Sequence, residues 1–293
     1  MHTPLPSHTQ GSVILHALAI QAAVAFANAA RAEKLEHVVL LSQWLAGTPR
    51  PSLMSRQHAL IDQLFRDLAS DGITCTIVRP GFFADLPYVE LSKFAAQLGV
   101  LPLPVAGASL DAPPSVEDIA RVAVAALREP AKHAGRDYRP TGPALLSVTE
   151  MAAAMGRVYG HNVTHLSFMP RWLLRKAMRQ EGMSPFLVAQ FGHYLDDLAA
   201  GGFAVGAPTN DVLEATGQAP ESFEAVLRRY AAKPAFKRTL GSRLVAAWRF
   251  AIVPCLPGLD VERFNAQCDT LPPRVPLLAA QDKAWKEAVR TRG

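Results

Sequence analysis

The stretch Ile73 to Phe83, ITCTIVRPGFF, constrains this chain more than any other. Thr74, Thr76, Ile77 and Val78 are β-branched, which suits a strand. The stretch ends abruptly at Pro80-Gly81 and releases two aromatics, Phe82 and Phe83. A helical pattern precedes it. Leu60 or Ile61, Leu64, Phe65 and Leu68 recur at spacings of three and four across a helix of about residues 55–70, and Gly72 stops it. A buried strand fed by an amphipathic helix is how a parallel α/β sheet reads. In such open sheets a ligand lies outside the carboxyl ends of the strands. Two readings of the Pro80-Gly81 turn therefore stand open: the rim of a binding crevice, or an ordinary turn after a core strand.

The pattern extends backwards. A helix over about 17–34 places Leu18, Ala22, Phe26 and Ala29 or Ala30 on one side. Glu36-His37 then leads into Val38-Val39-Leu40-Leu41-Ser42, a strand covered on both faces. Residues 43–51 read as a loop. The order helix, strand, helix, strand predicts parallel neighbouring strands joined by a right-handed crossover.

Composition excludes several classes. The chain has 293 residues, 49% apolar and 19% charged, which allows a sizeable core in one large domain or two modest ones. The net charge of +5 is scattered, and its densest group, Arg171, Arg175, Lys176 and Arg179, sits on a predicted helix as a solvated face. Nucleic acid is therefore not an expected partner. Cys75, Cys255 and Cys268 form no CxxC pair, so neither a disulfide framework nor a metal site is expected, and a reducing cytoplasm fits. His161 and His165 have no acidic residue near them in sequence and are not read as metal ligands. No apolar run is long enough to span a membrane. Residues 12–32 lack the positive start of a signal peptide and read as an ordinary helix. Residues 244–259 are apolar but broken by Arg249 and Pro254, which suits a packed or surface-lying helix.

After Phe83 the sequence predicts a helix over 85–98 and a Pro- and Gly-rich loop over 99–114. Ser115, with Asp118 three residues on, opens a helix over 116–128. Residues 137–139 are a short strand. Ser147 and Glu150 form a capping-box pattern for a helix ending at Tyr159, with Gly160 as its stop. A strand over 163–168 and helices near 170–181, 184–200, 209–216 and 220–232 follow, the last with Pro220 in its first turn. The expected organisation is a loose tail (1–11), a Rossmann-type core (12–145), a mostly helical substrate domain (146–232) and a helical, Pro-rich tail (233–293).

Five passages in order resemble the NmrA-like family of atypical short-chain dehydrogenases: AARAEKLEHVVLLSQ (29–43), TIVRPGFFAD (76–85), PSVEDIARVAVAAL (114–127), YRPTGPALLSVTEMAAAMG (138–156) and TNDVLEATGQAPESFEAVLRRYA (209–231). The resemblance covers about residues 17–232 and implies an α/β fold whose parallel Rossmann-type sheet is N-terminally incomplete. In that family a strand, a Gly-rich turn and a helix hold the cofactor pyrophosphate. No such glycine pattern follows an N-terminal strand in this sequence, and at least two βα units of the family fold have no counterpart in it. Such a loss would bare an apolar sheet edge for an oligomeric partner to cover. The resemblance implies NAD(P) as the possible cofactor and a small molecule or dinucleotide as partner. It places Ser42, Gln43 and Trp44, with Pro80, Gly81, Phe82 and Phe83, along the nicotinamide side of the crevice. At the family's Tyr-x-x-x-Lys positions stand Met54 and His58. Methionine moves no proton, so the family's Tyr–Lys mechanism is not supported. His58 is the candidate catalytic residue, as an acid/base or a contact to the nicotinamide ribose, and its plainer reading is a surface histidine at the helix start. The implied function is an oxidoreductase of an unidentified small substrate or a redox sensor. The alternative is a non-catalytic interaction protein, or a truncated product that no longer binds the dinucleotide.

Overall fold

The computed structural model describes residues 11–48, 53–260 and 263–264, so residues 1–10 of the expected loose N-terminal tail and most of the expected C-terminal tail beyond residue 260 lie outside the described residues. The chain divides into two compact units. One holds Met1–Ile77, Ala126–Asp137 and Asp260–Gly293, and the other Val78–Ala125 and Tyr138–Leu259.

The first unit is built on a parallel sheet. Helix α1 (Gly11–Ala32) leads to strand β1 (His37–Leu41), helix α2 (Leu53–Arg66) and strand β2 (Thr74–Val78). Strand β5 (Asp137–Tyr138) completes the order β1-β2-β5. The parallel neighbouring strands read from the sequence are therefore present. The apolar stripe of α2 explains the packing: Ile61, Leu64, Phe65 and Leu68 join Ala27 and Ala30 of α1 and Val38, Cys75 and Ile77 of the sheet in one core. The rings of Phe26 and Phe65 meet at 5.7 Å. Because side chains alternate along a strand, Thr76 faces the other way from Cys75 and Ile77. It is buried there too, and its hydroxyl donates to the carbonyl of His133 at 2.6 Å. Strand β2 is thus covered on both faces, which is why its sequence is nearly continuous in β-branched residues. After α2 a 3-10 turn (Asp67–Asp71) ends at Gly72, whose φ of 79° only glycine adopts without strain. The helix predicted over 55–70 is therefore an α-helix that tightens in its last turn.

The second unit is mostly helical. A π-helical turn (Ala84–Val89) runs into α3 (Glu90–Leu98), where one continuous helix is predicted. The predicted loop over 99–114 contains two short strands, β3 (Val100–Leu101) and β4 (Leu110–Asp111). Helix α4 (Val116–Arg128) and α5 (Pro130–His133) return the chain to the sheet of the first unit. Beyond β5, β6 (Leu146–Ser147) pairs antiparallel with β4. Helix α6 (Val148–Tyr159) opens with the predicted capping box: Ser147 Oγ accepts from Glu150 N at 3.2 Å, and the Glu150 carboxylate accepts from Ser147 N at 2.7 Å. The strand predicted over 163–168 shrinks to β7 (Thr164–His165), parallel to β3.

Helices α7 (Arg171–Gln180), α8 (Pro185–Ala199), α9 (Asp211–Thr216) and α10 (Phe223–Ala231) follow the predicted spacing. The last begins at Phe223 rather than near Pro220, because Ser222 caps it by accepting from Ala225 N. Helix α11 (Leu240–Ile252) closes the described part of this unit. Among the described residues, no helix is long and apolar enough to cross a membrane.

Candidate functional site

The carboxyl end of β1 carries Ser42, Gln43 and Trp44, and all three are buried. The chain turns tightly here, with Ala46 N bonded to Gln43 O at 3.1 Å and Thr48 N to Leu45 O at 3.2 Å. The amide of Gln43 is used to hold this turn. Its nitrogen donates to Ser55 Oγ near the start of α2, and its oxygen accepts from Leu45 N at 3.4 Å. Trp44 inserts its ring into the protein and is 2% exposed. Ser42 differs from both. It is only 5% exposed, yet its Oγ has no hydrogen-bond partner among the described residues. A buried hydroxyl left unpaired costs about 1–3 kcal/mol, so an orphan at a strand end calls for an explanation.

His58 stands half-buried on α2, one turn after Met54. One turn further on is Asp62, which is 1% exposed. Residues four apart share a helix face, so an imidazole and a buried carboxylate succeed each other along α2. Sequence reading overlooked Asp62, although an acid beside Ile61 in an otherwise apolar stripe was a visible signal. It also overlooked Ser55, the anchor of the Gln43 turn. Cys75 offers no reactive thiolate here, since burial pushes its thiol up to about 12 and holds it protonated.

The Pro80-Gly81 turn belongs to the second unit. Phe82 is buried, and its ring is the hub of an aromatic cluster. It stacks on Phe203 at 5.5 Å, meets Tyr88 edge-on at 5.3 Å, and lies 5.4 Å from Tyr194 and 5.9 Å from Phe191. Pro80 and Gly81 are buried and Phe83 is half-buried. The Phe82 ring is thus occupied by protein neighbours on several sides, as the core of the helical layer requires.

Behind this cluster lies a polar pair that the sequence did not announce. The Tyr88 hydroxyl donates to Asp111 Oδ2 at 3.1 Å, and both residues are buried. Burial is the main cause that raises the Asp111 carboxyl to about 8, so it is largely protonated at neutral pH. Asp85, three residues after Phe82, has a different task. Its carboxylate accepts from Val116 N at 2.8 Å at the start of α4 and pairs with Arg229 at 3.4 Å. The two histidines not read as metal ligands bond to backbone, His161 to Ala96 O at 3.0 Å and His165 to Leu103 O at 2.7 Å.

The second unit also contains a cavity of about 390 Å³ between α3, α7 and α11. Phe94, Met169, Leu173, Met178 and Phe250 line it, with Arg249 and Glu181 among its polar residues. Its volume falls in the range of small-molecule sites. None of the aromatic residues around Phe82 lines it.

No family model matches the sequence. Relatives do. Agroclavine dehydrogenase of Claviceps fusiformis is 29% identical over 212 residues, which are 68% of this chain and 66% of that protein. NAD(P)H azoreductase of Xenophilus azovorans is 28% identical over 216 residues, 73% of this chain and 71% of that protein. The chain thus spans just under two thirds of the first of these relatives. Among solved structures, an NADPH-dependent quinone oxidoreductase from Escherichia coli superposes with a TM-score of 0.58 at 22% identity, covering 69% of this chain and 70% of that one. Triphenylmethane reductase from Citrobacter sp., complexed with NADP(H), gives 0.58 at 16% identity, covering 78% and 74%. The fold is that of the NmrA-like and other atypical short-chain dehydrogenases, as the order of the five passages implied.

Proposed function

We propose that the protein is an NAD(P)-dependent oxidoreductase of a small carbonyl- or quinone-like substrate. The observation that carries this reading is the buried Ser42 hydroxyl at the carboxyl end of β1, unpaired among the described residues. Ligands of parallel α/β sheets bind beyond that end. A hydroxyl can both donate and accept there, which suits the carboxamide of a nicotinamide ring or a substrate carbonyl. The residues present at this strand end therefore fit the nicotinamide half of a dinucleotide. The similarity to a dehydrogenase and to an NAD(P)H azoreductase over most of the chain supports the same reading.

The bound dinucleotide would supply the hydride. The protein would supply position and a proton. Ser42 orients the reacting group, while the Gln43–Ser55 bond keeps the Ser42 turn from relaxing toward water. His58 is the proposed proton donor, because Met54 offers no exchangeable proton and an imidazole can carry and donate one.

The test is NADPH consumption with a panel of quinones and azo dyes. Acceptor-dependent consumption is expected, and Ser42→Ala lowers it by about tenfold, the worth of one hydrogen bond of about 1.4 kcal/mol. His58→Ala lowers kcat more than KM. Consumption that is unchanged in both variants would remove this site from the reaction. If no acceptor is reduced, the oxidoreductase reading falls and the non-catalytic alternative takes its place.

A further inference from the structure

Helix α11 is apolar on two opposite faces. Its inner face is docked: Ala246 and Val253 just beyond the helix are buried, and the Phe250 ring meets Phe94 edge-on at 5.9 Å. Its start is fixed by a reciprocal cap between Thr239 and Ser242, with bonds of 2.9 and 3.0 Å. The Gln97 side chain ties the preceding turn by donating to Ala235 O at 2.9 Å. This helix is therefore formed and held by its own unit.

The outer face has no such partners among the described residues. Leu240, Leu244 and Trp248, each four residues apart, are 72, 63 and 62% exposed. On a helix these positions form one stripe, with Ala247 and Ala251 alongside it. Arg243 flanks one edge, Arg249 lies beyond the other, and Lys237 and Arg238 precede the helix. From residue 233 to residue 259 there are five basic residues and no acidic one. Arg249 pairs with Glu181 and Lys233 lies over the Tyr230 ring, but Lys237, Arg238 and Arg243 have no carboxylate partner among the described residues. A tryptophan–leucine stripe bordered by cations is the pattern of a helix that lies in the plane of a bilayer.

We infer that α11 docks the protein on an anionic membrane surface, with Leu240, Leu244 and Trp248 entering the headgroup layer and Lys237, Arg238 and Arg243 facing lipid phosphates. The helix has 13 residues, too short to span, so the contact is peripheral. Charge selects this occupant over a second copy of the chain. A twofold pairing through α11 would set the same unpaired cations against each other, whereas anionic lipid neutralises them. The inference stands independently of the cofactor reading.

Cosedimentation of the full chain with vesicles tests it. Binding is expected to phosphatidylcholine vesicles containing about 30% phosphatidylglycerol, and little to phosphatidylcholine alone. Leu244→Glu/Trp248→Glu is expected to lower the partition by about tenfold or more, with unchanged circular dichroism because both residues are exposed. The Lys237→Glu/Arg238→Glu/Arg243→Glu variant, which leaves the apolar stripe intact, is expected to lose the preference for anionic vesicles, as does the wild type in about 0.5 M salt. Equal binding to both vesicle types overturns the inference, as does unchanged binding by either variant. A dimer abolished by Leu244→Glu/Trp248→Glu, without vesicle binding, overturns it in favour of a second copy.

Discussion

Replacing Phe82 with alanine should destabilise the protein by about 3–5 kcal/mol, the usual cost of deleting a large buried aromatic. The position is unusually exposed to this loss. Four rings, those of Tyr88, Phe191, Tyr194 and Phe203, lie within 6 Å of the Phe82 ring centroid, so the void opens at the centre of the cluster rather than at its edge. The elements that carry these rings are the π-helical turn, α8 and the loop after it, and they lose their common contact together. Urea unfolding measures the effect as a lower midpoint. Phe82→Leu should recover part of the loss, because it refills volume without restoring the ring contacts. A change below 1 kcal/mol for Phe82→Ala would mean that the ring is not the hub that the structure shows.

The second large effect concerns pH. Asp111 is an acid whose folded pKa, about 8, lies above its ordinary value of 3.8. The folded state therefore holds a proton that the unfolded state releases. Its contribution to stability is fully present below about pH 4, and it is lost as pH rises from there through about 8. Each pH unit inside that window can cost up to about 1.4 kcal/mol, so this one residue can remove several kcal/mol between acid and alkaline pH. The Tyr88 hydroxyl shares the burial and is itself pushed well upward, so it does not ionise to compensate. Asp111→Asn keeps the shape and an acceptor for Tyr88 but has no proton to lose. Its unfolding midpoint should vary less between about pH 5 and 9 than that of the wild type. Parallel pH profiles of the two proteins would show that Asp111 is not the group responsible.

Much of the fold was legible in the sequence because it depends on local rules. The α2 stripe, the strand from Thr74 and the glycine stop at Gly72 all follow from periodicity and backbone freedom. The Ser147–Glu150 box needs only two residues three apart. Other features needed distance. Tyr88 and Asp111 are 23 residues apart, and nothing local marks either as half of a buried pair. Ser55 reads as an ordinary helix-start serine until Gln43, 12 residues earlier, is seen to reach it. The π-helical turn at Ala84–Val89 adds one residue per turn to an otherwise helical pattern, a change that periodicity does not resolve.

The candidate site shows the same division. The resemblance assigned seven residues to the nicotinamide side on equal terms. The structure distinguishes them by what their atoms already do. Gln43 is engaged with Ser55, Trp44 is buried and Phe82 is enclosed by rings, whereas the Ser42 hydroxyl is buried without a partner among the described residues. That distinction depends on tertiary packing and no sequence pattern carries it.

The most direct measurement is calorimetric titration of the full chain with NADPH, repeated with Ser42→Ala. The proposed oxidoreductase function predicts a saturable heat, with affinity weakened about tenfold when the hydroxyl is removed. Absence of any saturable heat up to about 1 mM NADPH, equivalent to binding weaker than about −4 kcal/mol, would contradict it.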